Sequence, residues 1–285
     1  MSVEHWYLLP VSFGIAFLAM SSGISAGNFW VPVYLLWAGF EPPLAFWMTL
    51  ATMLCGYGSG VVRNLYQGTI DRRVITRYLP CTVPAALVGG YLAPALNVSW
   101  LILLFGIFAC GVGVRLLVQA TRGTGLDRLG RHGKTSSAPK GPSSPRCRGG
   151  FRWGERGLGL LGGLLLGLIT VGLGELLLPR LLAERKSLSP AQVVGSTVLV
   201  IFVTSLAAAL ARLNGPFLTA LGEQRATLLG AMLFAGPGVV LGGQLGPLMT
   251  RGLNARGLRW YVAVILLLVS GLMLTRFLAL SGFAG

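Results

Sequence analysis

Pro84, Gly89, Gly90, Leu92 and Pro94 recur as Pro237, Gly242, Gly243, Leu245 and Pro247, each 153 residues later. Upstream of each copy a second match holds an offset of 147 residues: Gly27-Asn28-Phe29-Trp30-Val31-Pro32 answers Gly174-Glu175-Leu176-Leu177-Leu178-Pro179, and Pro43 answers Pro190. A loop insertion inside one copy accounts for the difference in offset. Both copies lie in apolar stretches, so the chain is a duplicated membrane unit. Paired Gly/Pro-interrupted apolar segments in corresponding places of two halves point to a transporter's binding site.

The rest of the chain has to be compatible with lipid, and it is. Apolar residues make up 54% of the 285 and charged ones 11%, with a mean hydropathy of +0.73. Soluble domains carry about 25% charged residues. The apolar runs fall near 8–40, 44–65, 76–96, 98–121, 157–183, 190–211, 226–250 and 257–280. Such lengths suit spanning helices of ~20 residues, not barrel strands of about 9–11. Glu4 and His5 stand where a cleavable signal peptide needs Lys or Arg, so none is expected.

Two runs are abnormal. Segment 8–40 breaks at Ser21 to Asn28, and segment 157–183 breaks at Gly172-Leu173-Gly174-Glu175. Charge placement tests the topology. If segment 157–183 enters and returns as a hairpin, loops 63–77, 115–156, 180–186 and 251–259 share one face and hold 20 of the 23 Lys/Arg. If it crosses, the split falls to 17 against 6. Cytoplasmic loops accumulate Lys and Arg, which favours the hairpin. The first segment has no Lys or Arg, so charge leaves it open between re-entrant and crossing; the repeat argues for a hairpin there too. The expected fold is an all-α polytopic membrane protein with two homologous, inverted repeats. Each is a broken, re-entrant helical hairpin plus three transmembrane helices. The repeats span 1–121 and 157–285. Between them, 122–156 is basic and rich in Pro, Ser and Gly, and reads as a disordered cytoplasmic linker.

The net charge of +15 follows from loop basicity and calls for no nucleic-acid partner. Expected partners are the lipid bilayer and a small anion. No C-x-x-C pair, His cluster, phosphate-binding loop or catalytic Ser–His or Ser–Lys arrangement is visible, so neither a metal, a cofactor nor an enzyme activity is expected.

The chemistry concentrates at the breaks. Non-helical backbone at membrane depth must be covered by protein or line a wet cavity. A short helix that starts there offers unpaired N–H groups and the positive end of its dipole, which suits an anion. Candidate substrate-binding residues are Ser25, Gly27 and Asn28 at the first break and Gly172, Gly174 and Glu175 at the second. The alternative is that the glycines serve only close helix packing. Glu175 is the one acid inside an apolar run away from its ends, at a cost of about 2.5–3.5 kcal/mol in a bilayer. It reads as a proton-coupling carboxyl or as a helix cap, and the two roles can coexist. Asn28 holds the equivalent place. Thr49 and Ser196, related by the offset of 147, and Thr197 beside them, either face the same cavity or bond back to their own helix carbonyls. Pro84-Gly89-Gly90 and Pro237-Gly242-Gly243 read as packing and hinge structure. Arg63, Arg115 and Arg276 read as interface anchors. Trp6, Trp37, Trp100 and Trp260 read as an aromatic belt.

These residues resemble the sulfite exporter TauE/SafE family of membrane permeases. The second copy carries the likeness best, in Gly167, Gly172, Gly174, Pro179, Pro190, Ala191, Gly195, Ser196 and Thr197; the first keeps Gly23, Gly27, Pro32, Pro43 and Thr49, with Ser25-Ala26 in place of a dense Gly run. The resemblance implies a multi-pass permease of a bacterial-type inner membrane. It would move sulfite, thiosulfate, sulfoacetate or other sulfonates by alternating access between the repeats. An anion channel and a non-transporting assembly protein are the rival readings.

Overall fold

The computed structural model describes residues 6–22, 25–121, 153–183, 188–213, 218, 222–249 and 255–280. Their regular elements are helical, in two matching series. The first is α1 (Leu8–Ser22), α2 (Gly27–Pro32, continued by a π turn over Val33–Trp37), α3 (Pro42–Tyr66), α4 (Arg72–Leu92) and α5 (Val98–Thr121). The second is α6 (Trp153–Ile169), α7 (Leu173–Ala183), α8 (Pro190–Ala211), α9 (Arg225–Met249) and α10 (Ala255–Leu280). Five helices among the described residues are long and apolar enough to cross a membrane: α3, α5, α8, α9 and α10. Helix α4 has the length, but Arg72, Arg73 and Arg77 crowd its start. The fold is thus all-α and polytopic, as the hydropathy pattern indicates. The expected linker lies outside the described residues except for Trp153–Arg156, which form the first turn of α6.

The repeated glycine pairs explain how the halves join. A Cβ on Gly89 of α4 would strike Leu164 O, Gly167 Cα and Leu168 N of α6. A Cβ on Gly242 of α9 would strike Phe13 O, Ala16 Cβ and Phe17 N of α1. Gly90 lies against Ala208 and Ala211 of α8; Gly243 lies against Gly56 and Ser59 of α3. Each half therefore lends its Gly-Gly face to the hairpin helix and the next helix of the other half. Small residues permit this close approach, which drives helix association in lipid.

Equivalent helices run in opposite directions. Along α3 and α8, Phe46 meets Arg212, Gly58 meets Phe202 and Asn64 meets Gly195. Along α5 and α10, Gly106 meets Met273 and Leu274, whereas Gly113 meets Ala263 and Leu267. The Ser270 hydroxyl donates to Gly106 O at 2.8 Å in the same seam.

At the second break the chain reverses. Thr170 has φ of 61° and Gly172 of 111°. Leu173 then returns against Gly162 of α6, and Gly172 faces Leu165. Only glycine takes the φ of Gly172 without strain, which accounts for that residue. Thr170 has no such excuse: a β-branched residue at positive φ is an outlier.

The core gathers around α2. Trp30, Tyr34 and Phe40 are buried and stack in series, with centroid separations of 5.1 and 5.6 Å. The Tyr34 hydroxyl is paired with Thr52 Oγ1 at 2.7 Å, as a phenol in an apolar core must be. The aromatic belt residues Trp6, Trp37, Trp100 and Trp260 are all exposed, as the belt reading requires.

Candidate functional site

The two breaks meet at one carboxylate. Glu175 stands in the first turn of α7 and is buried. Its Oε2 accepts from Gly172 N at 3.2 Å, closing the start of its own helix in the manner of a capping box. Its Oε1 reaches the other half, accepting from Ser25 N at 2.8 Å and from Asn28 Nδ2 at 2.5 Å. Asn28 and Glu175 are repeat equivalents, so their hydrogen bond lies where the symmetry relating the halves brings matching positions together. The cap and the cross-break contact coexist in one side chain.

The neighbouring backbone is satisfied in the same way. Ala26 N donates to the Tyr57 hydroxyl from α3 at 3.2 Å. Pro179 lies four residues beyond Glu175 and brings no N–H, so the Glu175 carbonyl lacks its helical donor. Arg115 of α5 supplies one, with Nη1 3.4 Å away. Pro32 has the same spacing from Asn28. The repeated proline thus frees the carbonyl of the polar residue at each break.

Gly27 is buried, with Thr170 O, Val171 and Met53 occupying the place where a side chain would go. Gly174 is buried in the first turn of α7. Of the nine sequence candidates, Ser25, Asn28, Gly172 and Glu175 form one hydrogen-bonded group, and Gly27 presses on its rim. The Thr49 and Thr197 hydroxyls both bond back to their own helices, to Ala45 O and Val193 O, each at 2.8 Å. Thr197 also lines a cavity of about 20 Å³ with Tyr57, Leu178 and Ile201, roughly the room of one water. Ser196 is held elsewhere: its Oγ accepts from Asp71 N at 2.8 Å, tying α8 to the turn that opens α4.

Three buried polar atoms at the breaks, Ser25 Oγ, Asn28 Oδ1 and Thr170 Oγ1, have no hydrogen-bond partner. Buried polar groups are nearly always paired, so these atoms have bonding capacity left for a further partner. Among the described residues, no group of His, Cys, Asp and Glu is arranged to hold a metal ion.

Sequence reasoning passed over Tyr57, Thr170 and Arg212. Tyr57 carries a phenol in an otherwise apolar helix, which is a usable signal. Thr170 gives none, because its strain exists only in the folded backbone. Arg212 follows an apolar run and reads as an outer-loop charge, yet it is 4% exposed. The three arginines read as interface anchors also do more. Arg63 donates to Gln244 O at 2.5 Å, Arg115 to Glu175 O, and Arg276 to Leu35 O at 2.6 Å. Each clamps a backbone carbonyl of the opposite half.

A comparison with protein families matches the model described as sulfite exporter TauE/SafE over residues 8–273. The chain belongs to the sulfite exporter TauE/SafE family. Membership implies a membrane transporter of sulfur-related anions, and the matched span covers both breaks and runs into α10. Comparisons with curated proteins and with solved structures return no significant match.

Proposed function

We propose that the protein is a secondary carrier of a sulfur oxyanion or organosulfonate in a bacterial-type inner membrane, and that its anion site is the junction of the two breaks. One observation carries this reading. Donors from both halves, Ser25 N, Asn28 Nδ2 and Gly172 N, converge on a single carboxylate. The junction is already an anion site, and the anion in it is the side chain of Glu175. A sulfonate or sulfite oxygen asks for the same donors.

Substrate and ionised Glu175 therefore compete. Protonation of Glu175 removes the competing charge and gives the substrate a hydrogen-bond donor, so anion and proton enter together. Ser25 Oγ and Thr170 Oγ1 add two hydroxyls at the same place.

The antiparallel run of α3 with α8 and of α5 with α10 supports inverted repeats. So does the reversal at Thr170–Leu173, which makes α6 and α7 a hairpin and leaves three crossings per half. Inverted repeats around a central site are the architecture of alternating access. The tight closure around Gly27 and the small cavity beside the junction support a carrier over an open channel.

The test is transport in proteoliposomes. Wild-type protein should take up sulfite, thiosulfate or sulfoacetate in a saturable way, driven by an imposed pH gradient. Glu175→Gln should fold and lose the response to that gradient. An unchanged pH dependence would refute the coupling role.

A further inference from the structure

A large cavity shares no lining residue with the junction of the breaks. It measures about 540 Å³. It sits at one end of the bundle, where α3 and α5 begin and α4 and α8 end. Its wall is apolar, with Pro43, Leu44, Phe46, Leu96 and Leu101 among the lining residues. Two charged residues line it. Glu41 is exposed, and Arg212 is buried.

Arg212 is the informative one. A guanidinium carries five N–H donors in a planar fork. Nη2 donates to Gly167 O and Leu168 O, both at 2.7 Å, so it closes the last turn of α6 just before the second break. Its Cζ lies 5.6 Å from the centre of the Phe46 ring. Its Nε is buried and has no partner. Capping two carbonyls does not neutralise the positive charge, and among the described residues no carboxylate bonds it. A buried cation on the wall of an apolar cavity is completed by an anion.

We propose that this cavity is a second binding site, for an amphiphilic anion: one sulfonate, carboxylate or phosphate group on Arg212 and an apolar body against Phe46, Leu96 and Leu101. The volume falls in the ~300–1,000 Å³ range of small-molecule sites, far more than a bare oxyanion fills. The apolar wall offers such an ion nothing beyond Arg212. The same chemistry has two sources, a free organosulfonate or the phosphate end of a membrane lipid. None of the residues lining the cavity belongs to the hydrogen-bonded group at the breaks, so its fate does not depend on the carrier reading.

The experiment uses the full chain purified in a neutral detergent. The soluble probe is pentane-1-sulfonate, with inorganic sulfate beside it, measured by calorimetry. The lipid arm is native mass spectrometry after mild extraction. Pentane-1-sulfonate should bind wild type more tightly than sulfate, and Arg212→Gln should weaken it about tenfold or more by removing the charge-assisted contact. Because Arg212→Gln also strips the cap of α6, Leu96→Trp is the second variant. It fills the cavity while leaving the bonds of Arg212 intact, and it should weaken binding as strongly. If the occupant is a lipid, one anionic phospholipid should stay on wild type and be absent from both Arg212→Gln and Leu96→Trp. Equal sulfonate binding and equal lipid retention in wild type and both variants would overturn the proposal. So would sulfate binding as tightly as pentane-1-sulfonate and insensitive to Leu96→Trp.

Discussion

Removing Asn28 and the charge of Glu175 separately and together should show that the two breaks are coupled through one bond. The Asn28 amide donates to Glu175 Oε1 at 2.5 Å, and both residues are buried. Hydrogen bonds to a charged group contribute about 1.5–3 kcal/mol, and a buried donor left unpaired costs about 1–3 kcal/mol. In Glu175→Gln the amide oxygen can still accept from Ser25 N and Asn28 Nδ2. The new NH₂ then faces Gly172 N–H, donor against donor, so neither has an acceptor there and the other bonds lose their charge. A loss of about 2–4 kcal/mol follows from those terms. Asn28→Ala removes one charge-assisted bond but leaves Ser25 N and Gly172 N in place, for about 1.5–3 kcal/mol. Both changes strike the same bond, so the double variant should fall short of the sum by about 1 kcal/mol or more. Equilibrium unfolding of the four proteins in mixed micelles measures this cycle. Additivity within about 0.5 kcal/mol would mean that the charge of Glu175 adds nothing to this bond.

Other consequences follow from single positions. Gly27→Val should abolish transport and lower stability, because any Cβ there strikes Thr170 O; normal uptake in a well-folded variant would count against the tight junction. Thr170→Gly should raise unfolding free energy by roughly 1 kcal/mol, since it relieves a positive φ and deletes an unpaired hydroxyl. The same change should reduce transport if that hydroxyl meets the anion, as a flux assay would show. Gly89→Val and Gly242→Val should destabilise to a similar degree, by about 1–3 kcal/mol or more, because each drives a side chain into the opposite half's hairpin helix. A large effect from one and none from the other, in the same unfolding assay, would break the equivalence of the two seams.

Much of this architecture was written in spacings. The breaks, the equivalence of Asn28 and Glu175 and the glycine seams all follow from offsets of 147 and 153 residues. Side-chain direction did not follow. Thr49, Ser196 and Thr197 were placed correctly on helices, but spacing cannot say whether a hydroxyl turns to a cavity, to its own carbonyl or to a neighbouring turn. Here two turn back and Ser196 holds Asp71. The π turn at Val33–Trp37 has no sequence mark beyond Pro32 and Gly39. The burial of Arg212 is invisible in the sequence for a physical reason. A cation at the end of an apolar run looks the same in sequence whether it meets water or the carbonyls of a broken helix.

The account stands most directly on counterflow in proteoliposomes preloaded with unlabelled sulfoacetate or sulfite and given the labelled anion outside, at two pH values. It predicts saturable exchange that is faster at the lower pH in wild type, and pH-independent in Glu175→Gln. Exchange that never saturates, or that is the same in both proteins at both pH values, would contradict an anion site built around the Glu175 carboxyl.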